Sequence, residues 1–212
     1  MADPVKNSPP LHFTDRLCKA VDYARILHIE RRKGTGIPYM AHLFGVASLV
    51  MGEAGLAGLP VTEDMVIAAL LHDAVEDRGG AARLEDIGRN FGPEVARMVE
   101  GLSDSLAEEG DEKEPWEQRK RAYIERLRGE PADTRLISAA DKLYNARSIL
   151  EDYREIGPEI WRRFKRSRDL QLWYYDALLE VFKSFEKMRI VGELERVVGE
   201  LKEISAGEAV GG

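Results

Sequence analysis

The feature that most constrains this chain is an apolar run that ends abruptly in four ionisable residues. Residues 65–71 read Met-Val-Ile-Ala-Ala-Leu-Leu, and His72, Asp73, Glu76 and Asp77 follow within six positions. A segment this apolar is buried in a folded protein, where unpaired charge is costly unless a metal ion or an opposite charge compensates it. The run therefore predicts a buried helix whose end forms one wall of a metal site.

Apolar residues recur at helical spacing along most of the chain. In the first helix, Leu17, Val21 and Ala24 follow a capping residue, Thr14 or Asp15. No segment shows the period-2 alternation of a half-buried strand. We therefore predict an all-α helical bundle, with helices near residues 14–30, 39–53, 62–75, 84–90, 93–102, 115–128, 133–153, 158–186 and 191–204.

The length and composition fit one globular domain. A chain of 212 residues, 44% hydrophobic and 33% charged, can bury a substantial core. We predict a single bundle over residues 14–186 and an additional C-terminal helix over 187–205. The two ends, a proline-rich lead-in over 1–13 and a tail over 206–212, are predicted to be disordered.

The charge balance excludes some classes of partner. A net charge of −7 argues against a protein that binds nucleic acid, because such domains usually carry a net basic field. A nucleotide needs only a local basic patch. The lone cysteine, Cys18, fits a reducing, cytoplasmic environment, and no apolar stretch reaches the ~18 residues of a membrane span. The sequence leaves the oligomeric state open.

Four residues are candidate metal ligands: His42, His72, Asp73 and Asp141. Imidazole and carboxylate together suit manganese, iron or zinc. Four protein ligands on an ion that accepts six leave positions for water and a substrate oxygen. Each residue also has a structural interpretation, since a lone histidine is commonly a hydrogen-bonded core residue and Asp141 could simply pair with Lys142. Their joint occurrence favours the metal site.

Two further carboxylates follow the His-Asp pair. On a continuous helix, Glu76 and Asp77 lie at i+4 from His72 and Asp73, one turn beyond each candidate ligand. Carboxylates so placed can orient a water molecule, accept its proton or hold a ligand in position.

Candidate substrate contacts come from one polar helix face and two basic clusters. Asn145 and Ser148 share a face with Asp141, at i+4 and i+7, and can contact a sugar or phosphate. The basic clusters, residues 31–33 and 119–121, suit an anionic small molecule. An exposed polar stripe and solvated charge runs are the competing interpretations.

These residues resemble the signature of the HD-domain metal-dependent phosphohydrolases, His … His-Asp … Asp. Residues 32–33, 38–42, 71–77 and 141–147 also resemble the hydrolase domain of the RelA/SpoT alarmone enzymes. They are most similar to the small stand-alone alarmone hydrolases, including the metazoan SpoT homologue. The Glu-Asp pair after His-Asp separates this branch from other HD proteins. The resemblance makes residues 14–186 an HD phosphohydrolase domain.

The resemblance implies a role for each candidate residue. One manganese ion, or another divalent transition metal, would bind the four candidate ligands, and Glu76 and Asp77 would activate water. Substrate-binding residues would be Arg32 and Lys33 beside a guanine base, Asn145 and Ser148 beside ribose and phosphates, and the basic residues Arg119 and Arg121.

The implied reaction is hydrolysis of the 3′-pyrophosphate of guanosine 3′,5′-bis(diphosphate), (p)ppGpp, to GDP or GTP plus pyrophosphate. Two alternatives stay open at this stage. One is a phosphatase acting on another phosphorylated nucleotide, such as NADPH or a nucleoside monophosphate. The other is a metal-stabilised regulatory module without turnover.

Overall fold

The described part of the chain is helical, which confirms the all-α prediction. The structure is a computed structural model that describes residues 11–55, 59–106, 114–185 and 188–206, with the backbone but not the side chain of Asp77. Apart from one isolated antiparallel bridge, Arg31 with Pro38, these residues form no strand. The helices are α1 (Asp15–Leu27), α2 (Tyr39–Met51), α3 (Glu63–Leu71), α4 (Ala74–Asp77), α5 (Gly80–Phe91), α6 (Pro93–Leu102), α7 (Trp116–Gly129), α8 (Ala132–Ile156), a 3₁₀ helix (Gly157–Arg163), α9 (Arg168–Lys183) and α10 (Arg189–Ala206).

Helix α3 is the central helix of the bundle, as its composition predicts. The Thr62 hydroxyl caps it by accepting a hydrogen bond from the Met65 N–H at 3.3 Å. Every residue from 65 to 71 is buried, and α1, α2, α6 and α8 pack around them. Burial on all sides explains why this helix is apolar all round.

Helix α8 is the second element that positions the site. It is 25 residues long and packs against α2, α3, α6 and α10. Gly45 lets α2 approach it closely, because a Cβ atom at this position would lie only 2.0 Å from Cε2 of Tyr144. The sequence pattern gave no sign that this glycine is a packing requirement.

Two predicted helices are interrupted, and both predictions are corrected here. The helix expected over 62–75 stops at Leu71, and His72 and Asp73 form a turn before α4 begins. The helix expected over 158–186 is split into a 3₁₀ helix and α9, because Phe164 is extended (ψ 146°). The Ser167 hydroxyl then caps α9, accepting from the Leu170 N–H at 3.4 Å.

The C-terminal helix α10 packs against α8 and α9, and ion pairs join Arg147 to Glu193 and Lys202 to Asp176. Parts of the predicted boundaries fall on residues 1–10, 186–187 and 207–212, which lie outside the described residues. The division of the chain into domain, C-terminal helix and ends stays a prediction. Among the described helices, none combines the length and apolar content that crossing a bilayer requires.

Candidate metal centre and substrate pocket

The four candidate ligands converge from three parts of the bundle. His42 comes from the first turns of α2, His72 and Asp73 from the turn after α3, and Asp141 from the middle of α8. His72 Nε2 lies 3.2 Å from His42 Nε2, 3.0 Å from Asp73 Oδ2 and 3.6 Å from Asp141 Oδ1. His42 Nε2 lies 3.4 Å from each of the same two carboxylate oxygens.

The interruption between α3 and α4 is what allows adjacent residues to point at one centre. On a continuous helix, neighbouring side chains diverge by about 100°. Asp73 instead has φ −92° and ψ −6°, and its carboxylate turns back toward the His72 ring. The break therefore lets the side chains of His72 and Asp73 point at one centre, which two adjacent residues of a regular helix cannot do.

His42, His72 and Asp73 offer donor atoms within 4.8 Å of one another, which suits a divalent cation, and Asp141 Oδ1 lies beside both histidines. Two donor atoms that are each ~2.1 Å from one ion lie about 3.0 Å apart at a right angle and about 3.4 Å apart at a tetrahedral angle. The separations around the two histidines fall close to this range. His72 Nδ1 donates to Ala69 O at 2.8 Å, which directs Nε2 toward the carboxylates.

The electrostatics of this cluster also favour positive charge. Burial opposes a charge on His72, but attraction to Asp73 and Asp141 outweighs it and raises the pKa of His72 well above its usual range. Burial likewise opposes ionisation of the carboxyl groups. The neighbouring histidines, with Lys142 beside Asp141, nevertheless hold the pKa of both aspartates well below the usual range. A proton on His72 offsets part of the negative charge of the two aspartates, and a divalent cation would displace that proton.

The candidate metal centre forms one end of a cavity of about 510 Å³. A cavity of this size can bury a nucleotide-sized ligand. His42, Asp73 and Asp141 line its inner end, and five cationic side chains line the rest: Arg32, Lys33, Lys120, Lys142 and Arg163. Five carboxylates line the cavity as well, among them Glu151 and Asp152, so its lining is formally balanced, and a divalent cation at the candidate metal centre would make it net positive, as an anionic ligand requires.

The polar face of α8 lines this pocket with Asp141, Asn145 and Ser148. Asn145 donates to Asp141 Oδ1 at 2.6 Å and accepts from Arg32 Nη2 at 2.8 Å. Ser148 also lines the cavity, although its hydroxyl donates to Tyr144 O at 3.1 Å. The Arg32 guanidinium lies over the Tyr144 ring at 5.5 Å. A hydrogen-bonded chain thus runs from the basic loop to a candidate ligand.

The 31–38 loop that carries Arg32 and Lys33 is held by its own backbone. Arg32 N–H donates to Ile37 O at 2.8 Å, and Thr35 N–H donates to Arg32 O at 3.1 Å. The paired glycines in the sequence suggest a flexible loop, but these bonds make it a closed turn at the pocket rim.

Glu76 lines the pocket beside the candidate metal centre. Burial and the nearby carboxylate of Asp104 raise its pKa to about 7. The predicted partner carboxylate, Asp77, has its backbone in α4, but its side chain lies outside the described residues. A carboxyl group with a pKa near 7 can accept a proton at neutral pH without being permanently charged.

The second basic cluster divides between the pocket and the surface. Lys120, which belongs to the predicted cluster but was not named among the substrate-binding residues, lines the pocket and binds Asp104 at 2.6 Å. Arg119 also binds Asp104, and its Nη1 lies 3.5 Å from Glu76 Oε1. Arg121 lies outside the pocket.

The position of Arg121 has a clear physical reason. Its guanidinium pairs with Glu117 at 2.7 Å and stacks over the Trp173 ring at 4.6 Å. Adjacent residues of a helix point about 100° apart, so Lys120 lines the pocket while Arg121 lies on the surface. The sequence alone does not give the rotation of α7 about its axis, which decides which of these two residues lines the pocket.

Two further site residues escaped the sequence prediction. Tyr39 donates its hydroxyl to Asp73 Oδ2 at 2.6 Å. Lys142, considered in the sequence only as a possible partner of Asp141, pairs with it and also lines the pocket. For Tyr39, the spacing of three residues to His42 on the same helix face was an available signal.

Comparison with known proteins gives a consistent result. The HD-domain family profile matches residues 20–169. The human guanosine-3′,5′-bis(diphosphate) 3′-pyrophosphohydrolase MESH1 is 35% identical over 173 residues, which cover 81% of this chain and 85% of that protein.

Solved structures agree with the sequence comparison. One, described as a metazoan ortholog of SpoT that hydrolyses ppGpp and plays a role in starvation responses, aligns with a TM-score of 0.71 and 25% identity over 90% of this chain and 98% of its own. Another, lmo0812 from Listeria monocytogenes EGD-e, aligns with a TM-score of 0.62 and 31% identity over 76% and 97%. This chain therefore belongs to the HD-domain family of metal-dependent phosphohydrolases, in the branch that contains the metazoan SpoT homologues.

Proposed function

We propose that this protein hydrolyses the 3′-pyrophosphate of (p)ppGpp with a bound manganese ion, giving GDP or GTP and pyrophosphate. The observation that carries the proposal is the convergence of His42, His72, Asp73 and Asp141 at one end of a nucleotide-sized cavity that five cationic side chains also line. The similarity to MESH1, named as a (p)ppGpp pyrophosphohydrolase, supports the choice of substrate.

In this proposal the four candidate ligands hold the ion, and the protein positions water beside it. A divalent ion at this place supplies Lewis acidity and lowers the pKa of water. Glu76 is the proton acceptor, because its raised pKa of about 7 keeps both protonation states accessible at neutral pH. Asp77, one residue further along α4, is proposed to act with it.

The cations of the pocket bind the anionic substrate. Lys142 pairs with its sequence neighbour Asp141, a candidate ligand. Lys120 pairs with Asp104, and its charge also acts on Glu76. We therefore assign both lysines to the phosphate groups. Arg32 and Lys33 on the closed loop are proposed to contact the guanine base, with Asn145 and Ser148 beside the ribose and phosphates.

The two remaining basic residues receive different assignments. Arg119 acts through Asp104 and Glu76, which it contacts, and not through the substrate. Arg121 faces away from the cavity, and its ion pair with Glu117 supports a stabilising contribution within α7.

The test is a product analysis on chelator-treated protein. The protein is incubated with ppGpp, with and without added Mn²⁺, and pyrophosphate and free phosphate are measured separately. We expect pyrophosphate and GDP only with Mn²⁺, and loss of release when excess chelator is added.

The same experiment separates the alternatives. Free phosphate from NADPH or a nucleoside monophosphate, with ppGpp unchanged, would favour a nucleotide phosphatase. Metal binding without release of either product from any nucleotide would favour a regulatory module. Zn²⁺ or Fe²⁺ in place of Mn²⁺ tests the choice of ion.

A further inference from the structure

Two residues that flank the basic loop face each other across its base. Tyr39 N–H donates to Glu30 O at 3.0 Å, just outside the bridge between Arg31 and Pro38. The side chains of Glu30 and Tyr39 then extend toward the segment that follows α3. They reach opposite ends of it.

Tyr39 reaches the beginning of that segment. Its hydroxyl donates to Asp73 Oδ2 at 2.6 Å. Its ring stacks on the buried His28 ring, with centroids 5.0 Å apart and planes only 13° apart, and meets the His42 ring edge-on at 5.5 Å. Packing on two sides fixes the ring, so the direction of its O–H is fixed as well.

Glu30 reaches the other end of the same segment. Its Oε2 pairs with Arg78 Nη2 at 2.6 Å, and its Oε1 lies 3.1 Å from Nδ1 of His28. Arg78 closes α4, since its N–H donates to Ala74 O at 3.1 Å. His28, Glu30, Tyr39 and Arg78 thus form a continuous set of contacts, called the brace below, around residues 73–78.

We infer that Tyr39 is a positioning residue for the metal centre, and that the brace keeps the Asp73 carboxylate in its binding orientation. The inference rests on the metal centre of the proposed function. Asp73 lies in the turn between two helices, so helical packing alone does not fix its side chain. An O–H donor on one carboxylate oxygen removes that freedom before the ion arrives, and outer hydrogen bonds of this kind typically change metal affinity ~10–100-fold.

The brace also connects the metal centre to the substrate loop. Residues 31–38 lie between Glu30 and Tyr39, and Arg32 and Lys33 of this turn line the pocket. A displacement of the turn would therefore move the Tyr39 hydroxyl that holds Asp73. We expect a nucleotide bound at the turn and a metal bound at Asp73 to strengthen each other's binding, because such coupling is reciprocal.

The test is Mn²⁺ affinity, measured by calorimetric titration of chelator-treated protein without substrate. Tyr39→Phe removes only the hydroxyl and should weaken Mn²⁺ binding ~10–100-fold. Tyr23→Phe is the matched control, because Tyr23 also donates to a carboxylate, Asp86 Oδ2 at 2.5 Å, away from the pocket. It should bind Mn²⁺ as the parent does.

A second variant tests the far end of the brace. Arg78→Gln should weaken Mn²⁺ binding less than Tyr39→Phe does. In the double variant, Arg78→Gln should cause little further loss of Mn²⁺ affinity, because both changes act through the position of Tyr39. Arg78 is partly exposed, so this variant keeps the inference testable if Tyr39→Phe does not fold. Thermal unfolding in chelator establishes that each variant is folded.

The outcomes are distinct from those of the proposed function. Equal Mn²⁺ affinity for the parent and a folded Tyr39→Phe, or an equal loss in Tyr23→Phe, overturns the inference. A parent that binds no divalent ion overturns it together with the metal centre. A parent that binds Mn²⁺ but releases no pyrophosphate contradicts only the proposed substrate, and the calorimetric comparison still decides the role of Tyr39.

Discussion

The inner and outer ends of the pocket are built differently. At the inner end, the side chains of His42, His72 and Asp141 are less than one-tenth exposed, and the two histidines lie 3.0–3.6 Å from the carboxylate oxygens of Asp73 and Asp141. At the outer end, cations from the 31–38 loop, α7 and the 3₁₀ helix line the cavity. Several of these already have partners, as Arg163 has in Asp152 at 2.7 Å.

This difference predicts which kinetic constant, kcat or KM, each end of the pocket governs. Buried groups at fixed separations suit the reacting centre, where small displacements are costly. Partly exposed cations with exchangeable partners suit substrate binding, because they can leave one anion for another. Changes at the inner end should therefore lower kcat, and changes at the outer end should raise KM.

The largest effect is expected from Asp141→Asn at the inner end. The change removes a negative charge from the metal centre, and we expect kcat for pyrophosphate release to fall ~10⁴-fold or more, as when a reacting unit is disabled. The matched control is Asp133→Asn, on the same helix but paired with Arg97 at 2.6 Å. Comparable losses in kcat for the two folded variants would show that the effect is not specific to the inner end of the pocket.

The next effect is expected from Glu76→Gln. An amide cannot accept a proton from water, so kcat should fall roughly 10²–10³-fold while KM and Mn²⁺ affinity change little. Rapid-quench measurement of the chemical step, with calorimetry for the metal, checks this. A fall in metal affinity of the same size would instead make Glu76 part of the metal centre.

The sequence predicted the inner end better than the outer end, and the reason is physical. A charged residue inside an apolar run is rare because burial is costly, so His72 and Asp73 stood out without any structure. Solvated cations are common, and their presence in residues 119–121 did not indicate which one faces the pocket. The rotation of α7 selects Lys120, and no local pattern encodes that rotation.

The fold shows the same contrast. Caps and apolar periodicity predicted the helices, including the Thr14 cap of α1. The break at 72–73 was missed because no glycine or proline marks it. The break before α9 had one signal, the capping Ser167, which the aromatic residues on either side obscured.

A smaller effect is expected from Arg32→Ala at the outer end. A hydrogen bond to a charged group contributes about 1.5–3 kcal/mol, so KM for ppGpp should rise about 10-fold or more, with kcat nearly unchanged. Arg121→Ala removes the same side chain outside the pocket and should leave KM unchanged. Steady-state kinetics on both variants checks this, and a large fall in kcat for Arg32→Ala would contradict the separation of the two ends.

The smallest effect is expected where the two ends meet, at Asp104. This buried carboxylate binds Arg119 and Lys120 and helps to raise the pKa of Glu76 to about 7. Asp104→Asn removes a negative neighbour and frees both cations to approach Glu76, and each change lowers the pKa of Glu76.

Activity should follow the ionised form of Glu76. If so, kcat/KM rises with pH through the pKa of that group, and the acid limb of the profile should move to lower pH in Asp104→Asn. The exposed Asp169→Asn serves as the control and should leave the limb in place. A limb that moves to higher pH would contradict the charge effect assigned to Asp104, and a limb that does not move would mean that the proton acceptor is a group that Asp104 does not influence. The charge network on α7 would then belong to the outer end alone.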